Sequence, residues 1–211
     1  MLSEDPDRSF YEAWRSGDNK AGHELFKRHH DCVYGFIRRN VNDGAAEDIA
    51  QETWMQCQRS LANFNEKSTF RAYLYGIARN VLFEYLRRRA RRERLQDLLD
   101  RTLEELGISP LHMLAERQEV VLFAHALRRL PLEMQILFQL HFWEKLPAPA
   151  LAGIYEIPEG TIRSRIRRAK ELVREKIMEL ASTPEELAST LSGFDTWADR
   201  VRKLGPQRLP D

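Results

Sequence analysis

No run of about 18 apolar residues occurs in this chain, which excludes a bilayer-spanning helix. The N-terminus, with Glu4, Asp5 and Asp7, lacks the basic-then-apolar layout of a signal peptide, so a cytoplasmic location is expected. Cysteine is nearly absent. Cys32 and Cys57 are two isolated thiols without the paired Cys and His spacings that suggest zinc, and packing thiols are the expected role. His29, His30, His112, His125 and His141 show no metal-ligand or catalytic spacing, and the acids are scattered rather than clustered in acid and base pairs. No catalytic residue, metal or cofactor is therefore expected. An excess of one charge is missing too: 33 Lys and Arg against 32 Asp and Glu leave a formal charge of +1, so the sum predicts no polyanionic partner. The charges can still be segregated, and their distribution carries the information.

Helical periodicity runs through most of the chain, and no convincing alternating strand interrupts it. Residues 7 to 30 place Phe10, Trp14, Leu25 and Phe26 at helical spacing, broken near Ser16-Gly17-Asp18, a turn that can also cap the next helix. A second helix is expected from about Asp31 to Asn40. Asp43-Gly44 opens another, whose early acids suit the positive end of a helix dipole and which continues through Leu61. Asn63 to Ser68 reads as a loop, followed by a long helix from Thr69 to Arg89 rich in aromatics and arginine.

Between Arg87 and Arg94 lie six arginines and one glutamate, and then Asp97, Asp100, Glu104 and Glu105 precede Gly107 and Pro110. Such a charge reversal ending in glycine and proline marks a linker. A second helical unit follows over about 116 to 180, with helices from Glu119 to Leu130 and Glu133 to Phe142 and a short one around Ala150 to Tyr155. The stretch from Ile157 to Lys170 is then the most informative in the chain. Ile162, Ile166, Ala169 and Val173 form an inner stripe, while Arg163, Arg165, Arg167, Arg168 and Lys170 crowd the other surface with Ser164. Two short helices joined by a tight turn, the second basic outside and apolar inside, describe a helix-turn-helix.

Both halves resemble the bacterial sigma-70 family, specifically the compact extracytoplasmic-function (group IV) sigma factors. Ala46 to Trp54 looks like the region 2 segment that holds core RNA polymerase, and Thr69 to Asn80 like the melting and promoter-reading segment after it. Leu130-Pro131-Leu132-Glu133 and Ile157 to Arg165 look like the start and the recognition helix of region 4. The likeness spans roughly residues 10 to 178. It implies an all-α fold of two small helical domains joined by a linker, the second with a helix-turn-helix, plus a C-terminal helical extension. The expected divisions are 1–90 (region 2), 91–115 (linker), 116–180 (region 4) and 181–211 (extension). The implied function is to bind core RNA polymerase, direct it to a two-element promoter and open the DNA, with no catalytic site.

The resemblance places polymerase contacts on Glu47, Asp48, Gln51, Glu52 and Trp54. Recognition and melting of the downstream (−10) element fall to Asn63, Phe64, Asn65, Lys67, Ser68, Arg71, Tyr75, Arg79, Asn80, Arg87 and Arg88. Upstream (−35) recognition falls to Glu159, Thr161, Arg163, Ser164, Arg167 and Arg168. The chemistry suits these roles. Loop amides, a hydroxyl and Phe64 can receive an unstacked base of the melted non-template strand, the arginines can neutralise phosphates, and an arginine in the major groove of the duplex can bond guanine. The same residues also fit blander roles: the aromatics as core, the acids as a solvated face, and the arginine run as a helix end. A stand-alone helix-turn-helix regulator with an N-terminal ligand or dimerisation domain is the alternative function. An anti-sigma factor or other regulator is a further expected partner; membrane insertion is not expected.

Two features depart from the family pattern. Pro147 and Pro149 stand where polar helix-starting residues are usual, and Glu156 replaces the turn glycine, so a short first helix and a costly positive φ are expected. Beyond residue 180, Thr183-Pro184-Glu185-Glu186 predicts a short helix to about Leu191, and Phe194, Trp197, Ala198, Val201 and Leu204 a second.

Overall fold

The computed structural model describes residues 5–41, 43–92, 102 and 118–192, and among these every regular element is helical. The first unit contains α1 (Arg8–Arg15), α2 (Asn19–Arg38), α3 (Ala46–Ser60) and α4 (Phe70–Arg92). The second contains α5 (Gln118–Arg128), α6 (Leu132–Phe138), α7 (Ala148–Tyr155), α8 (Glu159–Leu180) and α9 (Pro184–Ser192). Local chemistry explains several boundaries. Gly17 turns the chain at φ +103°, and the Asp18 carboxylate then accepts the Lys20 N–H at 2.9 Å, capping α2 as its position suggested. The Thr69 hydroxyl accepts the Ala72 N–H at 3.2 Å at the start of α4.

Where the sequence suggested a break at Asp31, α2 continues. Asp31 and Cys32 are exposed, so a polar residue there faces water without disturbing the helix; no proline interrupts it, and Gly22 and Gly35 are accommodated within it. The helix expected from Glu133 to Phe142 also differs. It ends as α-helix at Phe138 and continues as a π turn over Gln139–Trp143, in which the Glu144 N–H reaches back five residues to the Gln139 carbonyl at 3.0 Å. Lys145 follows at φ +54° and reverses the chain towards α7.

Two apolar clusters hold the molecule. One contains Leu25, Phe36, Ile37, Leu74 and Leu82 of the first unit and runs without interruption into Leu132, Ile136, Leu140 and Leu151 of the second. The other joins Phe123, Leu127, Phe138 and Trp143 to Ala169, Val173 and Ile177, with Leu187 of α9 against it. Each buried Leu, Ile, Val or Phe side chain contributes about 1.5–3 kcal/mol. The helix α9 forms where the Thr183-Pro184 start predicted it, and its Leu187 N–H bonds the Thr183 carbonyl at 3.1 Å. The second helix expected in the extension, and most of the 91–115 linker, lie outside the described residues.

Candidate nucleic-acid interface

The helix-turn-helix is α7, a turn and α8. Pro147 precedes the first helix and Pro149 lies in its first turn, and α7 is eight residues long, as the prolines implied. Glu156 adopts φ +53° and ψ +38°, the left-handed conformation that glycine takes at no steric cost. Its strain is offset by the bond from the Ile157 N–H to the Ala152 carbonyl, which closes the turn. Ile162, Ala169, Val173 and Ile177 bury the inner face of α8, while Thr161, Arg163, Ser164, Arg167 and Arg168 are exposed and Glu159 is half-buried.

Acids of the same helix hold these cations extended. Arg163 bonds Glu159 at 2.8 Å, Arg167 meets Glu171 at 3.8 Å, and Arg168 bonds Glu175 at 2.9 Å. Such exposed pairs are worth little, so a phosphate or a guanine edge can replace the carboxylate at small cost. Arg165 behaves differently: it turns inward to Glu133 at 3.1 Å and is half-buried.

In the first unit, Glu47, Asp48 and Gln51 are exposed along α3, with Glu52 and Trp54 half-buried. Glu52 accepts from Gln56 at 3.1 Å. Beside them lies an aromatic ladder that the sequence reading missed. Phe26 stacks on His30 with centroids 4.4 Å apart, His30 stacks on Tyr34, and Phe26 leans on Trp54 at 5.1 Å. Phe26 and Met55 are two of the few large apolar side chains left exposed among the described residues. The sequence places Phe26 only within a helical pattern; the signal for the ladder is the run Phe26, His30, Tyr34 at four-residue intervals.

The loop after α3 corrects one expectation. Phe64 does not offer its ring to a base: it is buried, stacked on Tyr73 at 4.6 Å and edge-on to Tyr11 at 5.1 Å. Its backbone is pinned as well, since Arg15 reaches the Phe64 carbonyl at 3.5 Å and Glu66 at 3.2 Å. A phenyl ring in a short loop between aromatic helices gains more by joining their cluster than by facing water. The exposed loop groups are Asn63, Asn65 and Lys67, with Ser68 half-buried. The Asn65 side chain accepts the Lys67 N–H at 3.2 Å and so shapes the turn.

Along α4 the predicted residues divide. Asn80, Arg87 and Arg88 are exposed, Arg88 paired with Glu84. Arg71, Tyr75 and Arg79, one helical face at four-residue spacing, turn instead towards the second unit. The Tyr75 hydroxyl donates to Glu144, and burial followed by the Glu144 charge holds its pKa well above the ordinary phenol range. Arg79 lies against two rings, its guanidinium carbon 4.1 Å from the Tyr155 centroid and 4.6 Å from that of Phe83, and meets Glu133 at 3.9 Å. Burial pushes the Tyr155 hydroxyl up to about 12. Among the described residues there is no His, Cys, Asp and Glu grouping suited to a metal ion, and no helix long and apolar enough to cross a membrane.

Comparison with known proteins agrees with this geometry. Residues 25–92 match the family model for sigma-70 region 2, and residues 113–173 that for sigma-70 region 4. The chain is 30% identical over 189 residues to the ECF RNA polymerase sigma-E factor of Haemophilus influenzae, covering 85% of this chain and 100% of that one. It is likewise 30% identical over 191 residues to the RNA polymerase sigma-H factor of Pseudomonas aeruginosa, covering 85% and 98%. Among solved structures, CnrH in complex with the cytosolic domain of CnrY matches with a TM-score of 0.61 at 20% identity, over 83% of this chain and 99% of that one. The sigma factor RpoE of Bartonella quintana, in complex with the anti-sigma factor NepR, matches with a TM-score of 0.57 at 21% identity, over 74% and 96%. These two likenesses support the two-part helical fold, and the sequence matches identify its family. The chain belongs to the extracytoplasmic-function RNA polymerase sigma factors of the sigma-70 family.

Proposed function

We propose a division of labour among three surfaces of this sigma factor, whose function is to direct promoter-specific transcription initiation by RNA polymerase. The outer face of α8 reads the upstream element: Thr161, Arg163, Ser164, Arg167 and Arg168 enter the major groove and Glu159 sets the angle of Arg163. Asn63, Asn65, Lys67 and Ser68, with Arg71, Tyr75, Arg79, Asn80, Arg87 and Arg88 of α4, receive the downstream element and its melted strand. The α3 face of Glu47, Asp48, Gln51, Glu52 and Trp54 meets core polymerase, and the exposed Phe26 and Met55 extend it with an apolar centre.

The observation that carries this reading is the one-sided build of α8. A helix that buries Ile162, Ala169, Val173 and Ile177, keeps Ile166 half-buried and carries exposed cations on its other face is suited to entering a groove. On this reading the protein acts by positioning the polymerase and not by catalysis, in the cytoplasm where that enzyme works. The stand-alone regulator is not favoured, because it leaves the region 2 match without a use. A protein regulator that holds the factor inactive, as the anti-sigma factor NepR partners its neighbour, is a further proposed partner.

Run-off transcription with purified core polymerase on genomic DNA tests the proposal. Discrete start sites preceded by a shared pair of elements are expected; random initiation, or none, overturns it.

A further inference from the structure

We propose that Glu66, clamped by two arginines of α1, is a positioning residue for base selection at the downstream element. It touches no base; it fixes the backbone turn that holds Asn65 and Lys67 outward. The inference rests on reading the loop of residues 63 to 68 as the receiver of an unstacked base, and it gives α1 the task of keeping that receiver in shape.

The loop alternates between two environments. Phe64 and Glu66 turn back onto α1, whereas Asn63, Asn65 and Lys67 are exposed. One carboxylate oxygen of Glu66 meets Arg15 at 3.2 Å and the other meets Arg8 at 3.3 Å. The Arg15 side chain is 33% exposed against 60% for Arg8, so water screens it less and it is the stronger anchor. Arg15 also reaches the Phe64 carbonyl at 3.5 Å and so spans two residues of the loop. At the far end of the loop the Asp5 carboxylate, just ahead of α1, accepts the Phe70 N–H at 2.6 Å. One short helix and its lead-in thus hold the loop at its start, its middle and its exit.

The middle attachment is the informative one. Glu66 adopts φ +59°, a left-handed conformation that costs energy for any residue with a Cβ. Asparagine, aspartate and glycine visit that region readily, while a glutamate there needs support from outside the turn. The two arginines supply it. Across Glu66, the Asn65 side chain accepts the Lys67 N–H at 3.2 Å, which ties both neighbours to the turn that Glu66 makes. A loop held in this way loses little freedom when a base arrives, and it cannot re-form around a base of another shape. The clamp therefore serves discrimination between bases.

Single-round run-off transcription tests this, with core polymerase, full-length variants and templates carrying each base in turn at the downstream-element positions. The readout is the ratio of yields between best and worst base. Glu66→Ala and Arg15→Ala are each expected to shrink that ratio by roughly fivefold or more, the lower range for discrimination at one base pair. The double variant should shrink it no further, because both changes remove the same clamp. Glu66→Gln keeps an oxygen acceptor for Arg15 and should retain more of the ratio than Glu66→Ala. Glu66→Gly separates aim from folding: glycine takes φ +59° without strain, so thermal unfolding should stay close to that of the parent while the ratio falls. A Glu66→Gly protein that unfolds well below the parent makes Glu66 a folding residue and overturns the proposal. Asn65→Ala and Lys67→Ala report on the loop itself. If they flatten the ratio and the Glu66 and Arg15 variants do not, the clamp is overturned and the loop reading stands. If none of these variants changes the ratio, the loop reading falls, and the clamp's role falls with it.

Discussion

Helices α4 and α8 look alike in sequence and behave as opposites in the structure. Both are long, both carry a series of arginines, and both follow a turn that aims them. On α8 one face is buried and Arg163, Arg167 and Arg168 point outward, while Arg165 turns in to Glu133. On α4 the arginines are shared out: Arg87 and Arg88 reach solvent, while Arg71 and Arg79 are drawn against Glu144 and Glu133 of the other unit. The difference teaches that a row of cations marks a potential for polyanions, whereas the acids placed opposite decide whether that potential is free.

Stability measurements should separate the two helices most sharply. Tyr75→Ala removes a fully buried ring from α4 and should cost about 3–5 kcal/mol in urea unfolding. Arg167→Ala on α8 should leave unfolding unchanged, since its side chain is 79% exposed and its pairing is weak. A large loss from the second variant, or none from the first, would break the contrast.

DNA binding should reverse the order. Arg163→Ala is expected to weaken upstream-element affinity of the holoenzyme by about 1–3 kcal/mol, read by footprinting, with no change in melting temperature. On α4 the exposed Arg87 is expected to act through phosphate alone. Arg87→Ala should therefore reduce the slope of log affinity against log salt by about 1, whatever the promoter sequence. A sequence-dependent effect there would make α4 a reader along its whole length.

The smallest expected effect concerns the turn before α8. Glu156→Gly relieves the left-handed backbone and should stabilise the protein by up to about 1 kcal/mol, part of the gain being lost to the greater freedom of the unfolded chain. A melting temperature higher by about 2–4 °C would show it.

What could be read from residues alone follows the range of the forces involved. The inner stripe of α8, the Asp18 cap, the short α7 and the positive φ at Glu156 all arise from neighbours within a few positions, and each is visible in the sequence. The helix type and order were visible for the same reason. The buried position of Phe64 depends on Tyr11 and Tyr73, the latter on the helix after the loop, so a loop residue was misjudged as free. Likewise Tyr75 and Glu144 lie 69 residues apart, and no local pattern pairs them. The π turn left no trace either, because one additional residue in a helix becomes meaningful only when its partners Arg39 and Asn40, just past α2, and Tyr75 on α4 are known.

The paired amides of Asn40 and Gln139, fully buried at the joint between the two units with bonds of 2.8 and 2.9 Å, have a mechanical consequence. Each gives one hydrogen and takes one, so the match exists at a single alignment and vanishes with a displacement of about one helical rise, 1.5 Å. Sliding by degrees is therefore penalised at every intermediate step. The apolar cluster that crosses the same joint would tolerate a small slide, so the amide pair acts as its indexing pin, fixing one alignment among the many that burial alone would allow.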